Sequence, residues 1–139
     1  MTLSIVVPGN PIGKQRPAFG KGHAYTPAKT RTYESFIKSL FVAKYGDAFT
    51  PLEGPLEMEI LCIFAVPMSA SKKRALDMLW QREWPTKRPD LSNILKAGED
   101  ALNGLAFRDD SQIVSLSVVK QYGKRAQMEI KIRPIGEEP

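Results

Sequence analysis

Cysteine and histidine are nearly absent from this chain of 139 residues, which has one of each, Cys62 and His23. A lone cysteine excludes a disulfide framework within the chain and points to a reducing compartment. Cys62 lies in the apolar run Ile60-Leu61-Cys62-Ile63-Phe64, with no histidine near it in sequence. It therefore reads as a small buried hydrophobe and not as a nucleophile. Long apolar runs are missing too, since none approaches the roughly 18 residues needed to span a bilayer. The start, Met1-Thr2-Leu3-Ser4, has no charged segment leading into an apolar one, so no secretion signal is indicated. These features predict a cytoplasmic protein without a membrane partner. There is no GxxxxGK[ST] phosphate loop, internal repeat, low-complexity tract or linker. The expectation is a single domain over residues 1–135, with 136–139 as a short tail.

The charge present is unevenly placed. The net charge is +5. Residues 1–50 hold seven Lys/Arg against two Asp/Glu, which is the whole excess, and residues 51–139 hold thirteen of each. Clustered cations displace counterions from phosphates, so this asymmetry suits a nucleic-acid partner.

In chain order, Thr2 to Val7 is a β-rich run that stops at Pro8-Gly9-Asn10-Pro11. The segment from Pro8 to Tyr25 carries Lys14, Arg16, Lys21 and His23 among four glycines, and reads as a mobile cationic loop suited to a phosphate backbone. Tyr33, Phe36, Ile37, Leu40, Phe41 and Lys44 recur at helical spacing and predict a core helix ending near Tyr45-Gly46. Leu56 to Val66 alternates at first and then turns apolar on both faces, as in a central strand. A short helix capped by serine follows, bearing Lys72, Lys73 and Arg74, and residues 71–88 hold six Lys/Arg against two Asp/Glu. Trp80 and Trp84 flank this stretch; packing within the domain accounts for them more simply than base stacking. Residues 113–122 and 126–133 read as two strands joined by Gly123-Lys124-Arg125, a C-terminal β-hairpin. The order β, basic loop, α, β, α, α, β, β predicts an α/β (α+β layered) domain with a mixed β-sheet.

The most informative stretch runs from Lys87 to Asp110. At about 100° per residue, Leu91, Ile94, Leu95, Gly98, Ala101, Leu102 and Leu105 share one side of a helix. Ser92, Asn93, Lys96, Glu99, Asp100 and Asn103 share the other. Asp90 stands where an N-cap belongs and Asn103-Gly104 supplies the stop. One reading is a capped helix with a solvated polar face. The other is that Asp109-Asp110 returns to this face beside Lys96 and builds a carboxylate cluster suited to Mg²⁺, since hard cations take oxygen ligands.

Arg88-Pro89-Asp90-Leu91-Ser92-Asn93-Ile94-Leu95-Lys96-Ala97, then Asp100-Ala101-Leu102-Asn103-Gly104 and Asp109-Asp110-Ser111-Gln112-Ile113-Val114, resembles the signature of the RusA family of Holliday-junction resolvases. Gly9-Asn10-Pro11, Lys14-Gln15-Arg16-Pro17 and Tyr25-Thr26-Pro27 resemble the opening of phage and prophage members. The resemblance implies a small homodimeric endodeoxyribonuclease, dependent on Mg²⁺ with Mn²⁺ as a substitute, that binds four-way DNA junctions and nicks two strands symmetrically. It implies catalytic roles for Asp90, Lys96 and Asp110, and metal ligation by Asp90 and Asp110 with Asp109 beside them. The basic residues Lys14, Arg16, Lys21, Lys72, Lys73, Arg74, Lys87 and Arg88 are the expected DNA contacts. One position departs, because the family usually has Asp where this chain has Ser92. The alternative is therefore a junction-binding protein of the same fold with weakened or lost catalysis, or one in which Asp109 or Asp100 takes over the missing carboxylate.

Overall fold

The computed structural model describes residues 1–138. Its elements are β1 (Leu3–Pro8), β2 (Ala18–Gly20), β3 (His23–Tyr25), α1 (Ala28–Tyr45), β4 (Leu56–Ala65), α2 (Lys72–Leu79), α3 (Leu91–Leu102), a 3-10 turn (Asp110–Gln112), β5 (Ile113–Gly123) and β6 (Gln127–Pro134). Four strands form one mixed sheet in the order β1-β6-β4-β5, with β5 parallel to β4 and β6 antiparallel to both its neighbours. This is the layered α+β domain with a mixed sheet that the element order predicts.

The alternation of β4 decides where the helices lie. Leu56, Met58, Ile60 and Cys62 are buried, as are Met128, Ile130 and Ile132 on β6 and Leu3, Ile5 and Val7 on β1. Tyr33, Ile37 and Phe41 of α1 and Ile94, Ala97, Ala101 and Leu102 of α3 complete the same core, so both helices cover one side of the sheet. Phe36, expected inside, is instead 40% exposed. The opposite side mixes apolar residues such as Leu61 and Val119 with charge, and there Arg133 of β6 is buried between Glu57 and Glu59 of β4, donating to Glu59 at 2.8 Å.

The expected hairpin of β5 and β6 is not formed, because β4 lies between them. The local signal at Gly123-Lys124-Arg125 marks a change of direction correctly, but the chain crosses the end of β4 on its way to the far side. A Cβ on Gly123 would lie 2.6 Å from Cγ2 of Ile63, so the crossing depends on a residue with no side chain. β4 is apolar on both sides in its second half and gains a full ladder on each edge, which a hairpin would have denied it.

The segment predicted to be a mobile loop holds structure of its own. Lys21 (φ 50) and Gly22 (φ 81) turn β2 back onto β3 as a small hairpin. The expected tail is also engaged as far as Glu137, whose backbone N–H bonds Pro134 O at 3.2 Å and whose carboxylate pairs with the Met1 amino group. Its last residue, Pro139, lies outside the described residues. No helix among the described residues is long and apolar enough to cross a membrane.

Burial pushes the Cys62 thiol up to about 11, with the nearby Lys120 charge acting weakly the other way. The folded state thus holds the thiol protonated past the ordinary thiol value of 9.0, so this contribution to stability is full below pH 9 and fades as pH rises towards 11. Native protein at pH 8 should resist iodoacetamide for hours, whereas denatured protein should be alkylated in minutes, as read by intact mass.

Candidate functional site

α3 is amphipathic as predicted, and its docking against the sheet is close: a Cβ on Gly98 would touch the Cδ1 atoms of Ile60 and Ile130, each at 3.7 Å. The apolar side is consumed by the core, so the polar side faces outward, and it divides into two lines. Asn93 and Asp100, seven residues apart, share one line; Ser92, Lys96, Glu99 and Asn103 follow one another along the second.

The first line is occupied by the loop before β2. Lys14 donates its backbone N–H to Asn93 O at 2.8 Å, and its ammonium pairs with Asp100 and, at 3.3 Å, with Glu34 of α1. A Cβ on Gly13 would lie 2.9 Å from Pro89 Cβ and 3.0 Å from Asn93 Cβ, so the loop presses on the start of α3. Burial alone would lower the Lys14 pKa, but its bonds to Asp100 and Glu34 outweigh that and hold it above the usual lysine value. Lys14, expected at DNA, is thus a tie between α1, α3 and the loop. Arg16 and Lys21 remain exposed on and beside the β2–β3 hairpin.

The second line is open. Glu99 is held above the ordinary carboxylate range by burial first and then by the charges of Asp110 and Asp100, with Lys96 offsetting part of the effect. Asp110 is brought there by the return from α3. Leu52 donates to Ala106 O at 2.8 Å, and the Gln112 amide donates to Leu52 O at 3.0 Å and to Gly54 O at 2.9 Å, which fixes the 3-10 turn. Asp109 has a different task. Its carboxylate accepts from the Ser111 N–H at 3.1 Å in a reciprocal capping box with Gln112, and this bond lowers its pKa.

Asp90 occupies the N-cap of α3, yet its side chain makes no capping hydrogen bond. The capped-helix reading therefore fails for its carboxylate, which is exposed and uncommitted. The turn that carries it is anchored from β5: Lys120 Nζ donates to Lys87 O at 2.6 Å and to Pro89 O at 2.9 Å.

Asp90, Asp109 and Asp110 do not gather as a trio of metal ligands. Glu99 lies nine residues beyond Asp90, about 13 Å along the helix axis. Among the described residues no three His, Cys, Asp or Glu side chains gather closely enough to hold a metal ion. A carboxylate pair would suffice for a hard cation, since Mg²⁺ is commonly held by one or two carboxylates with water and substrate phosphates completing its shell.

Sequence reasoning missed Glu99 and Lys120. The signal for Glu99 was its place three residues after Lys96 on the open line. For Lys120 it was a charge at the inward register of β5, level with Leu116 and Val118 on the helix side of the strand. Lys72, Lys73, Arg74, Lys87 and Arg88 are all exposed on and after α2.

Two outcomes follow from these contacts. Because its folded pKa is raised, Glu99 costs stability once ionised; the cost is absent below pH 4.5, the unfolded value, and complete above the raised one. Glu99→Gln should therefore raise the melting temperature at pH 7 and lose that advantage by pH 4.5, as read by calorimetry. Lys120→Met keeps the aliphatic stem and removes two charged hydrogen bonds, so it should cost about 1–3 kcal/mol in urea denaturation. It should also loosen the Asp90 turn selectively, visible as faster amide exchange over residues 87–93.

Comparison with known proteins places this geometry in a family. The chain is 33% identical over 141 residues to the uncharacterized protein YqaN of Bacillus subtilis (strain 168), an overlap covering 96% of each. It is 35% identical over 82 residues to the crossover junction endodeoxyribonuclease rusA of Lactococcus phage r1t, covering 58% of this chain and 56% of the phage protein. The family model of endodeoxyribonuclease RusA matches residues 8–133, from the end of β1 almost to the end of β6, and the chain belongs to that family.

Proposed function

We propose that this protein is a Mg²⁺-dependent endonuclease that resolves four-way DNA junctions by paired nicks, acting as a homodimer. The observation that carries the reading is the uncommitted Asp90 carboxylate at an N-cap position, at the head of a face that continues through Lys96 to Glu99 and Asp110. Membership of an endodeoxyribonuclease family supports DNA as substrate, and the phage relative's name supports a junction.

Asp90 and Asp110 are the residues we assign to the ion, with Glu99 close enough to Asp110 for their charges to interact. Bound there, Mg²⁺ would supply positive charge to a phosphoryl oxygen and lower the pKa of coordinated water. The chain's own groups do the rest. Lys96 is a fixed cation for charge developing on the phosphate, and the Asp90 carboxylate, free of any capping bond, is available to the ion and its water. Lys120 keeps Asp90 in place. Lys72, Lys73, Arg74, Lys87 and Arg88 contact the phosphate backbone on the approach to Asp90, with Arg16 and Lys21 extending that surface from the hairpin. A four-way junction has two-fold symmetry, which two copies of one chain match.

A second reading has its own observation: Ser92 and the lack of a carboxylate trio leave fewer charged ligands than the family pattern, which favours a protein that holds junctions without cutting them. A nicking assay on a synthetic four-way junction separates the two. Wild type with Mg²⁺ or Mn²⁺ should nick symmetrically, Asp90→Asn and Lys96→Ala should each lower the rate by about 10²–10⁴ without loss of binding, and Ser92→Asp should reduce the Mg²⁺ concentration for half-maximal rate. Tight, junction-selective binding by the wild type with no nicking at any metal concentration would leave the binding protein as the correct description.

A further inference from the structure

Trp80 and Trp84 were expected to pack within the domain, and they do not: they are 69% and 48% exposed. Trp84 instead lines a cavity of about 320 Å³ between α2, the segment after it and the end of β5, together with Tyr122, Met78, Arg74, Thr86 and Lys87. That volume is at the small end of the range of about 300–1,000 Å³ typical of ligand sites.

The pocket is held open by its own contacts. Past α2 the chain folds back on the helix, with Arg82 N–H and Glu83 N–H both donating to Asp77 O, at 2.7 and 3.1 Å. Arg74 grips the Glu83 carboxylate through Nη2 at 2.8 Å and Nε at 3.3 Å, and Arg82 Nε pairs with Asp77 at 2.9 Å. Trp84 is thereby fixed on the rim, and fully buried Met78 forms the floor.

Its position links it to the cutting face. Tyr122 lies two residues after Lys120 on β5, so both point to the helix side of the sheet. Lys120 binds the Lys87 and Pro89 carbonyls, and Lys87 is itself a wall of the pocket. A ligand in the pocket would therefore lie against the turn that carries Asp90.

We propose that this pocket receives one unpaired DNA base from the strand that crosses the Asp90–Lys96 face. Aromatic rings stack on any base, the exposed cations of α2 suit the flanking phosphates, and Thr86 and the Arg74-bound Glu83 offer hydrogen-bonding groups to a base edge. The assignment rests on the reading of the protein as a DNA nuclease. It adds that the enzyme keeps an unstacked base beside the bond it cuts.

The chain has two tryptophans, so Trp80→Phe leaves Trp84 as the sole indole reporter. Titration of this variant with an eight-nucleotide oligothymidylate at low salt should quench its fluorescence saturably. Trp84→Leu should weaken binding of the same oligonucleotide about ten-fold, and Trp84→Phe, which keeps a ring, should retain most of it. Circular dichroism should show all three variants folded, as expected for changes at exposed positions. If the Trp80→Phe protein is not quenched while wild type still nicks four-way junctions, the base pocket is overturned and the nuclease reading stands. Quenching by oligothymidylate with neither nicking nor preference for junctions would retain the base pocket and remove the junction resolvase. Equal oligonucleotide affinity of wild type and Trp84→Leu overturns the pocket whatever the junction assay gives.

Discussion

The burial of α3 against the middle of the sheet is the constraint on which the rest depends. Gly98 brings the helix into contact with Ile60 and Ile130, and Ile94, Ala97, Ala101 and Leu102 are withdrawn from water. Burying such side chains contributes about 25 cal/mol per Å² of apolar surface, which fixes the rotation of the helix about its axis. Once that rotation is set, the polar residues have no freedom of placement. Asn93 and Asp100 must face the loop before β2, and Ser92, Lys96 and Glu99 must face the return of the chain through Asp110. Lys14 closes the first line and leaves the second open, so the functional face is defined by what the core has already taken.

How much of this could be read from the chain follows from the range of each interaction. The helix, its stop at Gly104 (φ 84) and the apolar alternation of β4 are local patterns, and all appear as expected. The strand order was out of reach because it is set by which edges of β4 are filled, a choice made between segments far apart in sequence. Gly123 illustrates the point: its composition says turn, but only Ile63 of β4, sixty residues earlier in the chain, shows that the glycine is needed for a crossing. The site divides in the same way. Asp90, Lys96 and Asp110 were legible as residue types in a pattern. The diversion of Lys14 and Asp109 into structural contacts was not, because a salt bridge to Asp100 and a capping bond to Ser111 depend on geometry alone.

Charge separates the two sides of the sheet. On the open side Arg133 is neutralised by Glu57 and Glu59, and Lys131 of β6 lies opposite Glu59 of β4 with Glu129 two residues away on its own strand. This pairing leaves the open side without a field to attract phosphates. Arg16, Lys21, Lys72, Lys73, Lys87 and Arg88 are exposed, with Lys87 and Arg88 directly preceding the Asp90 turn in the chain. The net +5 thus includes exposed cations close in sequence to the Asp90 turn, an arrangement that suits a polyanion.

Around that turn the chain departs from local stability rules three times. Asp90 sits at an N-cap without capping, forgoing about 1 kcal/mol of the usual stabilisation. Glu99 is half-buried close to two other acids and gains charge only at a cost. Lys120 interrupts an inward-facing apolar register to reach two carbonyls. By contrast Ser71 caps α2 and Asp109 caps the 3-10 turn, while α1 begins at Pro27, which has no capping group. Asp90 thus differs from the other N-cap residues that carry a side-chain oxygen, because Ser71 and Asp109 both use theirs on the backbone and Asp90 leaves its carboxylate free for another partner. Three such departures along α3 and the elements beside it are the kind of local cost that a chain retains where a residue has a task other than folding.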